Sequence, residues 1–102
     1  MPRTIELARF TVKSDEEEAF LAQRDAMSKA AKESFSGFVD ETLVKLDDGS
    51  YVSIWTWEAR RYCDQAMAQV DRVPLVTSWL AHIEKDVAME FGVVLDTAGD
   101  EG

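Results

Sequence analysis

Tyr51-Val52-Ser53-Ile54-Trp55-Thr56-Trp57-Glu58-Ala59 is the stretch on which the fold turns. It follows a turn signal, Asp47-Asp48-Gly49-Ser50, and it alternates. Tyr51, Ser53, Trp55 and Trp57 point one way, Val52, Ile54 and Thr56 the other. Both sets are largely apolar, so this strand is expected to be buried on both sides. A single layer of helices covers only one face of an antiparallel sheet. The expected cover for the second face is another copy of the chain.

Outward from this strand the pattern is regular. Thr4 to Val12 alternates, with Ile5 and Leu7 on one face and Ala8, Phe10 and Val12 on the other. Ser14-Asp15-Glu16-Glu17-Glu18 reads as a helix start, with Ser14/Glu17 or Asp15/Glu18 as a capping box. Phe20, Met27, Ala31 and Phe35 recur at helical spacing, which predicts a helix over about Asp15 to Ser34, ended by Gly37. Phe38 to Leu46 is the second predicted strand. Asp48-Gly49 closes a hairpin onto Tyr51–Trp57, because glycine accepts the positive φ such turns need. Cys63, Ala66, Met67 and Val70 predict a short helix. After Pro74, the residues Val76, Trp79, Leu80 and Ile83 predict a third. Val87, Met89, Phe91 and Val93 form the last strand. Residues 1–95 thus make one domain, and 96–102 are expected to be a flexible acidic tail.

This order gives an α+β fold, a ferredoxin-like split βαβ with a four-stranded antiparallel sheet, whose protomers pair into a dimeric α+β barrel. By parity, the face away from the helices carries Phe10 or Leu7, Trp55 and Trp57, Val44 or Leu43, and Met89 or Phe91. Burying one Trp-sized side chain removes about 150–250 Å² from water, worth roughly 4–6 kcal/mol at ~25 cal/mol/Å². A homodimer through that open face is the expected assembly.

Composition narrows the function classes. Net charge is −9, from 20 acidic and 11 basic residues, and the basic ones are scattered. Nucleic-acid binding is driven largely by Lys and Arg contacts to phosphate, so nucleic acid is not an expected partner. No apolar run approaches the ~20 residues that span a bilayer, and the N-terminus has no secretory pattern, so no membrane partner is expected. One cysteine, Cys63, cannot make an internal disulfide. A reducing, cytoplasmic setting follows as the expectation. Neither a Gly-rich phosphate loop nor a metal-spaced cluster is visible, so no cofactor and no metal are expected.

Ala8-Arg9-Phe10-Thr11-Val12-Lys13, the acidic first helix, Ser36-Gly37-Phe38-Val39, the hairpin and Trp55-Thr56-Trp57-Glu58-Ala59 together resemble the antibiotic-biosynthesis monooxygenase (ABM) family. The resemblance covers Thr4 to Leu95, and its most specific pieces are Gly37-Phe38 and Trp57-Glu58. It implies a ferredoxin-like protomer, a dimeric barrel and a pocket between sheet and helices. The family's haem-degrading branch relies on an Asn, a Trp and a His at positions that here hold Ala8, Ala66 and Trp79, so haem degradation is not expected. The quinone-forming branch uses a Trp that Trp57 matches. Its Asn, Tyr and Arg positions fall on Ser53, Cys63 and near Leu80, with Tyr62 one residue off.

The candidate catalytic residues are therefore His82, Tyr62 and Trp57. His82, the only histidine, is the expected general base. Trp57 stacks on or walls an aromatic ligand, or else packs the strand-to-helix corner. Trp55, Trp57, Trp79, Phe10 and Arg24 are the candidate substrate contacts, Arg24 because it interrupts the apolar face of the first helix. Cys63 shares an apolar stripe and reads as a core thiol. The expected activity is a cofactor-independent ABM-type monooxygenase acting on a small aromatic or polyketide-like compound. The alternative is a non-catalytic, ligand-binding or structural homodimer of the same fold.

Overall fold

Alternating apolar residues build four strands, and three apolar helical stripes lie across one side of them. The computed structural model describes residues 2–99. In chain order the elements are β1 (Thr4–Val12), α1 (Glu17–Ser34), β2 (Phe38–Lys45), β3 (Tyr51–Trp57), α2 (Arg60–Gln69), α3 (Pro74–Leu80) and β4 (Ile83–Val93). Short 3-10 turns at Ser14–Glu16 and Val70–Arg72 lead into α1 and out of α2. The sheet order is β2-β3-β1-β4, antiparallel throughout. β1 and β2 therefore run the same way with β3 between them, which is the split βαβ of a ferredoxin-like fold. Among the described residues no helix is long and apolar enough to cross a membrane.

Registers fix which side chains share a face. Thr4, Glu6, Ala8 and Phe10 of β1 stand opposite Trp57, Trp55, Ser53 and Tyr51 of β3. Phe38, Glu41 and Leu43 of β2 and Met89 and Phe91 of β4 join them on the helix-covered side. Phe20, Met27 and Ala31 of α1, Cys63 and Ala66 of α2, and Val76 and Trp79 of α3 close this core. The aromatics interlock, with Phe20 stacked on Trp79 at 4.5 Å between centroids and Phe10 stacked on Tyr51 at 6.2 Å. The opposite face carries Ile5, Leu7, Val52, Ile54 and Thr56, half-buried in the single chain, with Thr42 and Val44 exposed beside them.

Three sequence expectations need correction. Trp55, Trp57, Phe10, Leu43, Met89 and Phe91 lie on the helix side and only the alternatives Leu7 and Val44 on the other, so the open face is β-branched and aliphatic rather than aromatic. The physical reason is fit: large rings fill the uneven space under three crossing helices, whereas short branched side chains make a flat surface. Neither capping box forms, because no side chain caps the Ser14–Glu16 turn or α1. Glu16 and Glu17 are engaged elsewhere, on His82 and on Tyr51 and Lys45. Lastly, α3 stops at Leu80, and Ile83 opens β4 opposite Val12 instead of continuing the helix. His82 thus sits in the connecting turn, where its carbonyl accepts the Lys13 N–H at 3.0 Å. Two bulges interrupt the β1–β4 register, and they leave Glu84 and Val87 without partners in the ladder. The expected tail begins after β4, and its last three residues lie outside the described residues.

Candidate active site

Two short segments hold the corner that shapes the site. Gly37, at φ 76°, turns the chain from α1 into β2, a conformation that favours glycine. Its carbonyl accepts the Glu58 N–H at 2.8 Å, which ties this turn to the point where β3 passes into α2. The Tyr62 ring then closes over Gly37 so tightly that a Cβ at Gly37 would stand 2.2 Å from Tyr62 Cγ. Gly37-Phe38 and Trp57-Glu58 are therefore one structural joint.

Beyond this joint, a hollow of about 650 Å³ opens between the helix side of the sheet and α2, α3 and the start of β4. Its walls are Phe10, Phe35, Trp55, Trp57 and Trp79, with Ala66, Val70 and Val76 from the helices. Trp55 and Trp57 lie nearly parallel, 13° between planes and 6.1 Å between centroids. Trp79 is held by its own Nε1–H, which donates to the Phe20 carbonyl at 2.9 Å. Glu84, Asp86 and Met89 line the exposed rim. The size and the aromatic walls suit a planar organic ligand.

Polar groups inside are few. Ser53 lines the hollow and donates to Glu41 Oε2 at 2.5 Å. Glu41 is wholly buried and is neutralised by Arg24, whose Nε donates to Oε1 at 2.7 Å and whose Nη2 donates to the Glu41 carbonyl. Glu6 is the carboxylate that faces the hollow from β1. Burial pushes its carboxyl above the ordinary range, while the Cys63 thiol, the Trp57 indole and the Arg60 charge pull it back. Cys63 Sγ donates to Glu6 Oε1 at 3.6 Å, and burial beside that acid pushes the thiol up to about 12. The Trp57 Nε1–H lies near enough to favour an ionised Glu6. It is nonetheless buried without a hydrogen-bond partner among the described residues.

Of the sequence candidates, Phe10, Trp55, Trp57 and Trp79 come together around the hollow. Tyr62, His82 and Arg24 do not line it. Tyr62 is spent on the Gly37 corner, with Arg61 Nη2 donating to its hydroxyl at 3.0 Å. His82 is bracketed by Glu16 at 2.7 Å on Nδ1 and Gln23 at 2.8 Å on Nε2, bracing α1 against the β4 turn. Arg24 flanks a shallower surface hollow with Asp25 and Thr42. Sequence reasoning missed Glu6 and Glu41. The signal was an acid at the inward parity of a strand, Glu6 between Thr4 and Ala8 and Glu41 in phase with Phe38 across the register shift.

No family model matches the chain, and no curated protein sequence matches it. Solved structures do. SnoaB, a cofactor-independent oxygenase from Streptomyces nogalater, is 26% identical, with all of each chain covered and a TM-score of 0.61. A putative antibiotic biosynthesis monooxygenase from Bordetella bronchiseptica superposes with a TM-score of 0.75 at 14% identity, over 90% of this chain and 96% of the other. A dimeric ferredoxin-like protein from an uncultured marine organism gives 0.68 at 13% identity, over 99% and 95%. The chain carries the ferredoxin-like α+β fold of these proteins, and its resemblance to the antibiotic biosynthesis monooxygenases extends from the Gly37-Phe38 and Trp57-Glu58 segments to the whole fold.

Proposed function

We propose that the protein is a homodimeric, cofactor-independent monooxygenase of the ABM type that oxidises a planar aromatic or polyketide-like compound. The observation that carries this reading is the hollow beside Trp57: the three tryptophans wall the space rather than fill it. A fused-ring substrate stacks between such walls and leaves water outside. The electrons for dioxygen come from the substrate. A phenol, or an anthrone as the keto tautomer of one, gains one oxygen atom as a quinone carbonyl. The second oxygen atom leaves as water with two hydrogens of the substrate, in the phenol form one from the hydroxyl and one from the ring carbon that is oxidised. The 26% identity over the full chain with SnoaB, a cofactor-independent oxygenase, supports an oxygenase that works without a cofactor.

The homodimer reading rests on the open face, where Ile5, Leu7, Val52 and Ile54 form an aliphatic surface that water would otherwise wet. It is tested by light scattering: the wild-type chain runs at twice its 11.5 kDa mass and Ile54→Glu runs as a monomer.

For the activity, oxygen uptake is measured with anthrone- and quinol-type compounds, alongside Trp57→Phe and Trp79→Ala. Uptake above the background, reduced in both variants, is expected. Tight binding of these compounds with no uptake by the wild-type protein would replace the enzyme with a ligand-binding dimer.

A further inference from the structure

The hollow has a charge character as well as a shape. Every charged side chain that lines it is an acid: Glu6 inside, Glu84 and Asp86 at the rim. Within it, Glu6 and Trp57 sit on neighbouring strands of the same face, diagonal across the β1–β3 ladder, since Glu6 stands opposite Trp55 and Thr4 opposite Trp57. Glu6 offers an acceptor. Trp57 offers a buried Nε1–H that finds no partner among the described residues. One hydroxyl group satisfies both at once, since its oxygen accepts from the indole while its hydrogen is given to the carboxylate.

The geometry points to Glu6 as the proton acceptor of the site and to an uncharged aromatic hydroxyl compound, a phenol or enol, as its substrate, with the Trp57 N–H holding the oxygen that is ionised. This assignment rests on the proposed monooxygenase reading and supplies its first step. The O–H bond breaks, the proton passes to a Glu6 carboxylate oxygen, and the electron pair stays on the substrate oxygen and spreads into the ring. The anion is the electron-rich form that reacts with dioxygen. The proton held on Glu6 joins the ring hydrogen in the water that departs.

Groups around Glu6 fit this role. From α2, the Cys63 thiol donates to it and stays protonated, so it offers no competing anion, while Arg60 supplies a positive charge nearby. From β3 comes the Trp57 indole. Burial raises the affinity of Glu6 for a proton above that of a solvated carboxylate, which makes it the stronger base. The acids at the rim disfavour a substrate that enters as an anion.

Binding separates this proposal from the oxidation itself. Naphthol, methoxynaphthalene and naphthoate share one ring system and differ in the group offered to Glu6 and Trp57. Quenching of tryptophan fluorescence reads their affinities. The expected order in the wild-type protein is naphthol first, methoxynaphthalene about tenfold weaker, and naphthoate weakest. Glu6→Leu should remove the advantage of naphthol over its ether and improve naphthoate. With a substrate that supports oxygen uptake, Glu6→Gln should lose at least ~100-fold in kcat with KM changed by less than about threefold. The acid limb of its pH profile should vanish. Naphthoate binding as well as naphthol, no quenching by any of the three, or an order untouched in Glu6→Leu would each overturn the assignment. An active enzyme whose kcat survives Glu6→Gln would do so too. The expected binding order without oxygen uptake would instead count against the monooxygenase reading alone.

Discussion

Replacing Arg24 by alanine leaves the Glu41 carboxylate, which has no exposed side-chain surface, without its cation. In the folded protein, Glu41 takes the Arg24 Nε–H at 2.7 Å on one oxygen and the Ser53 hydroxyl at 2.5 Å on the other. Removing one member of a buried ion pair costs roughly 3–5 kcal/mol, because the remaining charge keeps its desolvation penalty. Two features place this pair at the lower end. The Arg24 side chain is 29% exposed, so water already reaches the guanidinium, and Ser53 still serves the orphaned carboxylate. The expected loss is about 3 kcal/mol, or roughly 12–24 °C in Tm at ~4–8 °C per kcal/mol for a domain of this size. The assay is urea denaturation read by tryptophan fluorescence at fixed protein concentration, since dimerisation couples to stability. A double variant, Arg24→Leu with Glu41→Leu, should recover most of the loss by replacing the pair with packed apolar groups. A cost below ~0.5 kcal/mol for Arg24→Ala, or single losses that simply add in the double variant, would refute the reasoning.

The Gly37 corner predicts that Gly37→Ala destabilises by more than the ~1 kcal/mol of a positive φ alone, because its Cβ meets the Tyr62 ring; Gly37→Ala combined with Tyr62→Ala should cost less than the sum, and additive losses in thermal melts would count against the joint. Lys45 and then Tyr51 hold Glu17 below its ordinary value of 4.5, so its stabilisation is complete above that pH and drains as pH falls through the lower folded value; Glu17→Gln should flatten the acid limb of a stability–pH curve. Glu6 has the opposite sign: its raised value makes the folded state the better proton binder, so stability falls as pH rises from 4.5 through that value. Glu6→Gln should therefore stabilise the protein at neutral pH, and a destabilised variant would contradict the burial account. Cys63, buried and pushed up to about 12, should react with iodoacetamide at pH 8 at least ~100-fold more slowly in the folded protein than in guanidinium; rapid labelling of the native state would show an open thiol.

Much of the architecture was legible because the strands alternate cleanly. β1 and β3 begin and end where the pattern placed them, and the Gly49 hairpin and the Gly37 turn both take positive φ. Facing was not legible. Parity gives two apolar sides of β3, and only the helices, whose stripes need large rings to pack on, decide that Trp55 and Trp57 turn inward. Val76, Trp79, Leu80 and Ile83 fit a helical period, yet pairing with Val12 takes Ile83 into β4 and carries His82 out of α3. That shift removed the one histidine from the site. Glu6 and Glu41 are not legible as inward-facing groups, because a lone acid in a strand reads as solvent-facing. Each is instead held by a partner far along the chain, Cys63 for Glu6, Arg24 and Ser53 for Glu41.

The oxygen atom gained by the product can be traced by isotopic labelling. Purified protein is given an anthrone-type compound under dioxygen enriched in the heavy isotope, and the quinone formed is analysed by mass spectrometry. One labelled oxygen per quinone molecule is expected, formed well above the uncatalysed background and strongly reduced in Trp57→Phe. A quinone with no label, or a rate equal to that without protein, would contradict the monooxygenase reading.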